Sequence, residues 1–131
     1  MKNRSQILVV DDHLMIRDFV SETLEEEGFR VTTAASGEEA LEIFRRQAFP
    51  LVITDIHMGA LSGLDLLAEV KRIAPATVVI VMSSDNSTSN LETAKGAGAF
   101  EFLAKPLKDL ELLCTTVTRA LESLTIQPEP G

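Results

Sequence analysis

Ile7-Leu8-Val9-Val10-Asp11-Asp12 runs four apolar residues, three of them β-branched, straight into two adjacent carboxylates. A strand buried on both faces reads as such a continuous apolar run, and this one stops abruptly at a charged edge. Neighbouring aspartates repel each other, so they need solvent, a cation or a raised pKa to coexist. Two further runs repeat the pattern: Leu51-Val52-Ile53-Thr54 ends on Asp55, and Thr77-Val78-Val79-Ile80-Val81-Met82 ends on Ser83.

Between these strands the apolar spacing turns helical. Ile16, Phe19, Val20, Thr23 and Leu24 stripe a first helix that Gly28 terminates, and Asp12 is placed to cap its start at His13. Arg30 to Ala34 is a weakly apolar strand suited to a sheet edge. Ser36-Gly37-Glu38-Glu39 reads as a capping box opening a second helix. Leu66, Leu67, Val70 and Ile73 stripe a third, which Pro75 ends. The polar segment from Asp85 to Ala97 makes a fourth helix with few apolar anchors. Phe100 to Leu103 is a last strand running toward Lys105-Pro106, and Leu110, Leu113, Val117, Ala120, Leu121 and Leu124 stripe the final helix. Five strands alternating with five helices predict a doubly wound α/β sandwich around a parallel sheet. Residues 1–124 form one domain, and 125–131, ending Gln127-Pro128-Glu129-Pro130-Gly131, read as a disordered tail or the start of a linker.

Composition narrows the class. At 131 residues the chain suits a single domain with a real core, and its 45% hydrophobic and 24% charged residues are globular values. A formal net charge of −8 argues against direct nucleic-acid binding or an anionic membrane surface. Cys114 is the only cysteine, which excludes an intramolecular disulfide or a cysteine-cluster metal site and suits a reducing cytoplasm. No stretch approaches the roughly 20 apolar residues of a membrane span.

Parallel strands place their carboxyl ends on one edge, where ligands bind. That edge collects Asp11, Asp12, Asp55, Ser83 and Lys105. Three carboxylates suit a hard divalent ion such as Mg2+, which takes oxygen ligands. A lysine and a hydroxyl suit a phosphoryl group, and one carboxylate is then free to act as a nucleophile. Asp55, set between the pair and the lysine, is the natural nucleophile. His13 and His57 read as exposed loop side chains and not as metal ligands, Met15 and Met58 as core fillers, and Cys114 as a small packed residue.

With these features in order, residues 5 to 123 closely resemble the receiver domain of bacterial two-component response regulators. The likeness rests on Asp11-Asp12, on Asp55 with Met58 and Gly63 beyond it, on Ser83, and on Ala94 through Pro106. It implies a flavodoxin-like (βα)5 sheet in the order 2-1-3-4-5. It also implies that Asp55 accepts a phosphoryl group from the phosphohistidine of a sensor histidine kinase or phosphotransfer protein. Mg2+ is then held by Asp12, Asp55 and the His57 backbone carbonyl, with Asp11 acting mainly through water. Lys105 pairs with Asp55, Ser83 hydrogen-bonds the phosphoryl group, Phe102 turns inward as a switch, and Pro106 follows a cis peptide. An output domain or target protein reads the helix 4–strand 5–helix 5 face, and phosphorylation is expected to permit a homodimer.

The chain departs from the family pattern at Gly59, where proline usually follows the methionine, at Ser84, often alanine or glycine, and at Phe102, often tyrosine. A degenerate, phosphorylation-independent module on the same fold is the alternative reading. A phosphatase of the haloacid-dehalogenase type also uses an aspartate nucleophile with Mg2+. That class needs a second acid two residues on, where this chain has His57.

Overall fold

A computed structural model describes residues 6–84, 88–105 and 110–125. The strands are β1 (Gln6–Val10), β2 (Arg30–Ala34), β3 (Leu51–Asp55), β4 (Val78–Ser83) and β5 (Glu101–Ala104). Between and after them come helices α1 (Leu14–Glu26), α2 (Gly37–Arg46), α3 (Gly63–Ile73), α4 (Thr88–Gly96) and α5 (Leu110–Thr125). The strands form one parallel sheet in the order β2-β1-β3-β4-β5, as the resemblance implied. Thr125, expected in the tail, closes α5 instead, while the rest of the expected tail, 126–131, and the expected cis peptide at Pro106 lie outside the described residues.

Strand alternation divides the core into two layers. Leu8, Val10, Val52, Val79 and Val81 face one side, against Ala40, Leu41 and Phe44 of α2, Leu66, Leu67 and Val70 of α3, and Ala94 of α4. Ile7, Val9, Leu51, Ile53, Ile80 and Met82 face the other, against Val20 and Leu24 of α1 and Leu113, Val117 and Ala120 of α5. Being covered on both faces is why β1, β3 and β4 carry no polar alternation. The arginine-led β2 takes an edge, as its composition predicts. The chain winds out from β1 to β2, then returns past β1 to β3, so the winding reverses between β1 and β3.

The helix ends follow local chemistry. Gly28 adopts φ 98 just beyond α1, a left-handed conformation that glycine enters without steric cost. At α2, Ser36 accepts from the Glu39 N–H at 3.0 Å, but the Glu39 carboxylate reaches one residue further than expected and accepts from the Ala35 N–H at 2.7 Å. A complete capping box between Ser62 and Asp65 opens α3. The sequence pattern does not flag it, because its third position holds aspartate in place of glutamate or glutamine.

Two expectations fail on α1. Met15 is 84% exposed and fills no core, because the buried stripe runs through Ile16, Val20 and Leu24 and leaves Met15 on the solvent side. Asp12 does not cap the helix. The N-cap is His13, which makes no side-chain capping bond, and its backbone N–H goes instead to the Asp11 carboxylate at 2.9 Å. That is an Asx turn, which reaches two residues forward and so favours Asp11. Met58, by contrast, packs half-buried against the core.

Gly63 and Gly59 have opposite steric settings. A Cβ on Gly63 would overlap the Asp55 carbonyl oxygen, because α3 begins hard against the β3 backbone and the Gly63 N–H bonds the Ile56 carbonyl at 2.8 Å. A Cβ on Gly59 would meet nothing within 4 Å, and its φ is not positive. Gly63→Ala should therefore destabilise the domain by about 2 kcal/mol or more through overpacking against backbone. Gly59→Ala should be neutral or stabilising by about 0.5 kcal/mol, since it narrows only the unfolded ensemble. Urea unfolding followed by far-UV circular dichroism ranks the two, and equal costs would contradict this packing.

Candidate functional site

The reversal between β1 and β3 puts their carboxyl ends side by side, and the functional residues gather there. Pairing continues one residue past each strand. The Asp11 N–H bonds the Ala34 carbonyl at 3.2 Å, the Ile56 N–H bonds the Met82 carbonyl at 2.9 Å, and the Lys105 N–H bonds the Ser83 carbonyl at 2.8 Å. Asp11, Asp55 and Lys105 are thus anchored by sheet backbone and not carried on free loops. An open cleft of about 350 Å³ lies at this edge, lined by His13, Ile16, Asp55, His57, Ser84 and Lys105.

Asp11 is fully buried and all of its oxygens are engaged. One carboxylate oxygen (Oδ1) accepts from the His13 backbone, the other (Oδ2) accepts from Lys105 Nζ at 2.7 Å, and the carbonyl accepts from Arg17 Nη1 at 2.8 Å. Asp12 resolves the repulsion differently, because its side chain stays 44% exposed to water. Asp55 closes β3 almost completely buried, with Oδ1 3.4 Å from Lys105 Nζ. Burial raises the Asp55 pKa above its ordinary value, and the Asp11 and Asp12 charges push the same way, while Lys105 opposes them. A solvated acid, a lysine-paired acid and an acid of raised pKa thus divide the repulsion that the sequence posed.

Lys105 stands 3.4 Å from Asp55, the expected pairing, and it also reaches Asp11. Its shorter contact is to Asp11, and Asp55 takes the longer one, because a single ammonium must serve both buried carboxylates. Ser83 is buried at the end of β4 beside Ala104 of β5, and the exposed Ser84 is the hydroxyl residue that lines the cleft. Phe102 is half-buried against the layer that includes Ala94. His57 lies exposed on the cleft wall. Cys114 is held in its thiol form, since burial raises its pKa and Glu27 adds to the effect.

Sequence reasoning missed Arg17, Ile16 and the engagement of His13. His13 is exposed as expected, yet its Nδ1 stands 3.2 Å from Asp11 Oδ1 and 3.1 Å from Asp12 Oδ1. The run Asp11-Asp12-His13 was the available signal. Asp11, Asp12, His13 and Asp55 each offer a ligand atom, and all four atoms lie within 4.8 Å of one another. Their three carboxylates match the hard oxygen donors that Mg2+ requires.

A family profile described as the response regulator receiver domain matches residues 7–117. The chain is 37% identical over 115 residues to the transcriptional regulatory protein ZraR of Escherichia coli (strain K12), covering 88% of this chain and 26% of that protein. It therefore spans about a quarter of the length of the curated relatives it matches. A receiver domain from Clostridium thermocellum superposes with a TM-score of 0.87 at 35% identity, covering 93% of this chain and 98% of the other. The BeF3-activated DrrB receiver domain superposes with a TM-score of 0.84 at 31% identity, covering 92% and 99%.

The raised pKa of Asp55 has a stability consequence. A folded-state pKa above the unfolded one means that the native state holds its proton more tightly. The contribution is favourable below the unfolded pKa and is lost as pH climbs through the folded value. At pH 7 in a chelator, Asp55→Asn should raise the melting temperature by about 3–5 °C, equivalent to ~1 kcal/mol in a domain of this size. The gain should shrink toward pH 4. Thermal unfolding of both proteins across that range checks it, and a variant less stable at pH 7 would contradict the electrostatic assignment.

Proposed function

The chain belongs to the response regulator receiver domain family of two-component signalling, and from that premise we propose that Asp55 is its phosphoacceptor. The observation that carries this reading is the Lys105 ammonium standing 2.7 Å from Asp11 and 3.4 Å from Asp55 beside one open cleft. A nucleophilic carboxylate, a fixed cation and access for a partner occur together there.

In the proposed reaction an Asp55 carboxylate oxygen attacks the phosphorus of a phosphohistidine on a sensor histidine kinase or phosphotransfer protein. The P–O bond forms, the P–N bond breaks, and its electron pair returns to the imidazole. Burial strips water from Asp55 and so keeps the nucleophile reactive. Lys105 follows the negative charge from carboxylate to phosphoryl oxygens, needing only a small shift between Asp11 and Asp55. Ser83 donates to a phosphoryl oxygen. Asp12, Asp55 and the His57 carbonyl would hold Mg2+, with Asp11 acting through water; when bound, the ion neutralises the charge gathering on the transferring group. The DrrB receiver domain, of the same fold, is described as activated by BeF3, which supports reading this fold as a switch.

The output is read where anchoring is thinnest. Phosphorylation draws Ser83 inward, Phe102 follows, and the α4–β5–α5 face changes for an output segment, a target protein or a second copy of the domain. The domain works in the cytoplasm, with residues 1–124 as the switch and the following residues leading to whatever it controls.

Incubation of the full chain with acetyl phosphate and Mg2+ should add one phosphoryl group by intact mass spectrometry, and Asp55→Asn should add none. Lys105→Ala should slow the labelling at least about tenfold. No adduct on the wild type would favour the phosphorylation-independent module.

A further inference from the structure

His13 stands at the cleft in a way that the phosphoacceptor reading leaves unused. It is the N-cap of α1, and its backbone N–H is bonded to Asp11 Oδ1. The side chain is 68% exposed, yet Nδ1 is turned inward, 3.2 Å from Asp11 Oδ1 and 3.1 Å from Asp12 Oδ1. Ligands at about 2.1 Å on an octahedral ion sit roughly 3.0 Å apart when adjacent and roughly 4.2 Å apart when opposite. The spacing of Nδ1 from Asp12 Oδ1 is that of neighbours in one coordination shell. The full set of Asp11, Asp12, His13 and Asp55 ligand atoms, all within 4.8 Å, spans little more than such a shell.

We propose that His13 Nδ1 is a nitrogen ligand to the divalent ion in this cleft, biasing the site away from Mg2+ toward borderline first-row ions such as Mn2+, Co2+ and Zn2+. The inference rests on the reading of the cleft as a divalent-cation site. Mg2+ gains little from an imidazole, whereas affinity for nitrogen rises along the first-row series. The ring is pre-positioned, because the Asx turn at Asp11 fixes the backbone that carries it. Without an ion, Nδ1 lies within hydrogen-bond reach of both carboxylates. With an ion bound, the ring proton resides on Nε2 and the Nδ1 lone pair faces the metal. The same step turns the ring from Asp12 Oδ1 to the ion and leaves that oxygen to the cation as well.

The test uses the full chain loaded with Mn2+. Pulsed electron paramagnetic resonance of the wild type should show coupling to a directly bound imidazole nitrogen, and His13→Gln should lose it. Titration calorimetry should find the preference for Co2+ over Mg2+, as a ratio of dissociation constants, reduced about tenfold in His13→Gln. Bound Mn2+ without nitrogen coupling, coupling that survives in His13→Gln, or ratios equal within twofold would each overturn the proposal and leave the Mg2+ reading standing. A wild type that binds none of these ions would overturn both.

Discussion

One ammonium faces three carboxylates at the end of this sheet. Lys105 lies 2.7 Å from Asp11 and 3.4 Å from Asp55, both buried, while Asp12 is left to water. Attraction to a single lysine does not neutralise two desolvated acids, and the residue of that imbalance is the raised pKa of Asp55. Such a cluster costs stability in its resting state, and the deficit is what gives the cleft its chemistry. Whatever brings positive charge to the cleft, or spreads the negative charge over a larger group, relieves it.

The fold is what makes the imbalance tolerable. Each of the three anchored residues lies at the end of a strand whose backbone pairing reaches or passes it, so the charges are held against backbone that two packed layers support. Gly63 belongs to the same construction. Its missing Cβ lets α3 start against the Asp55 carbonyl, and the Ser62–Asp65 box satisfies the amides of that start. Repulsion within the cluster can therefore not be relieved by β3 simply moving outward.

The parts legible in sequence were those governed by local rules. Continuous apolar runs gave β1, β3 and β4, because strands covered on both faces leave no room for polar alternation. Arg30 to Ala34 read as an edge for the converse reason. What escaped depends on direction or on contacts distant in sequence. Met15 follows an apolar pattern yet points to solvent, since one helical step separates it from Ile16 on the buried stripe. The bond from Lys105 to Asp11 joins residues far apart in the chain, and composition at strand ends cannot say which acid is nearer. The Asx turn that gives the His13 amide to Asp11, with the N-cap at His13 and not Asp12, is a matter of one residue in reach, below the resolution of pattern reasoning.

Stability is distributed unevenly along the sheet, and the unevenness bears on signalling. The β3–β4 side of the site is backed by Leu66, Leu67 and Val70 of α3, all fully buried, together with Phe44 of α2. On the described part of α4, Ala94 alone is buried, and Ala97 just beyond the helix is exposed. A methyl group removes little apolar surface from water, so the described side chains of α4 contribute less burial than those of α3. β5, the strand that α4 precedes, runs directly into Lys105. Phe102, half-buried between the sheet edge and that helix, is the only large ring on β5 able to gain or lose burial as the balance shifts. The acidic end of the sheet is thus backed by fully buried side chains of α3, whereas the described residues of α4 add a single buried methyl.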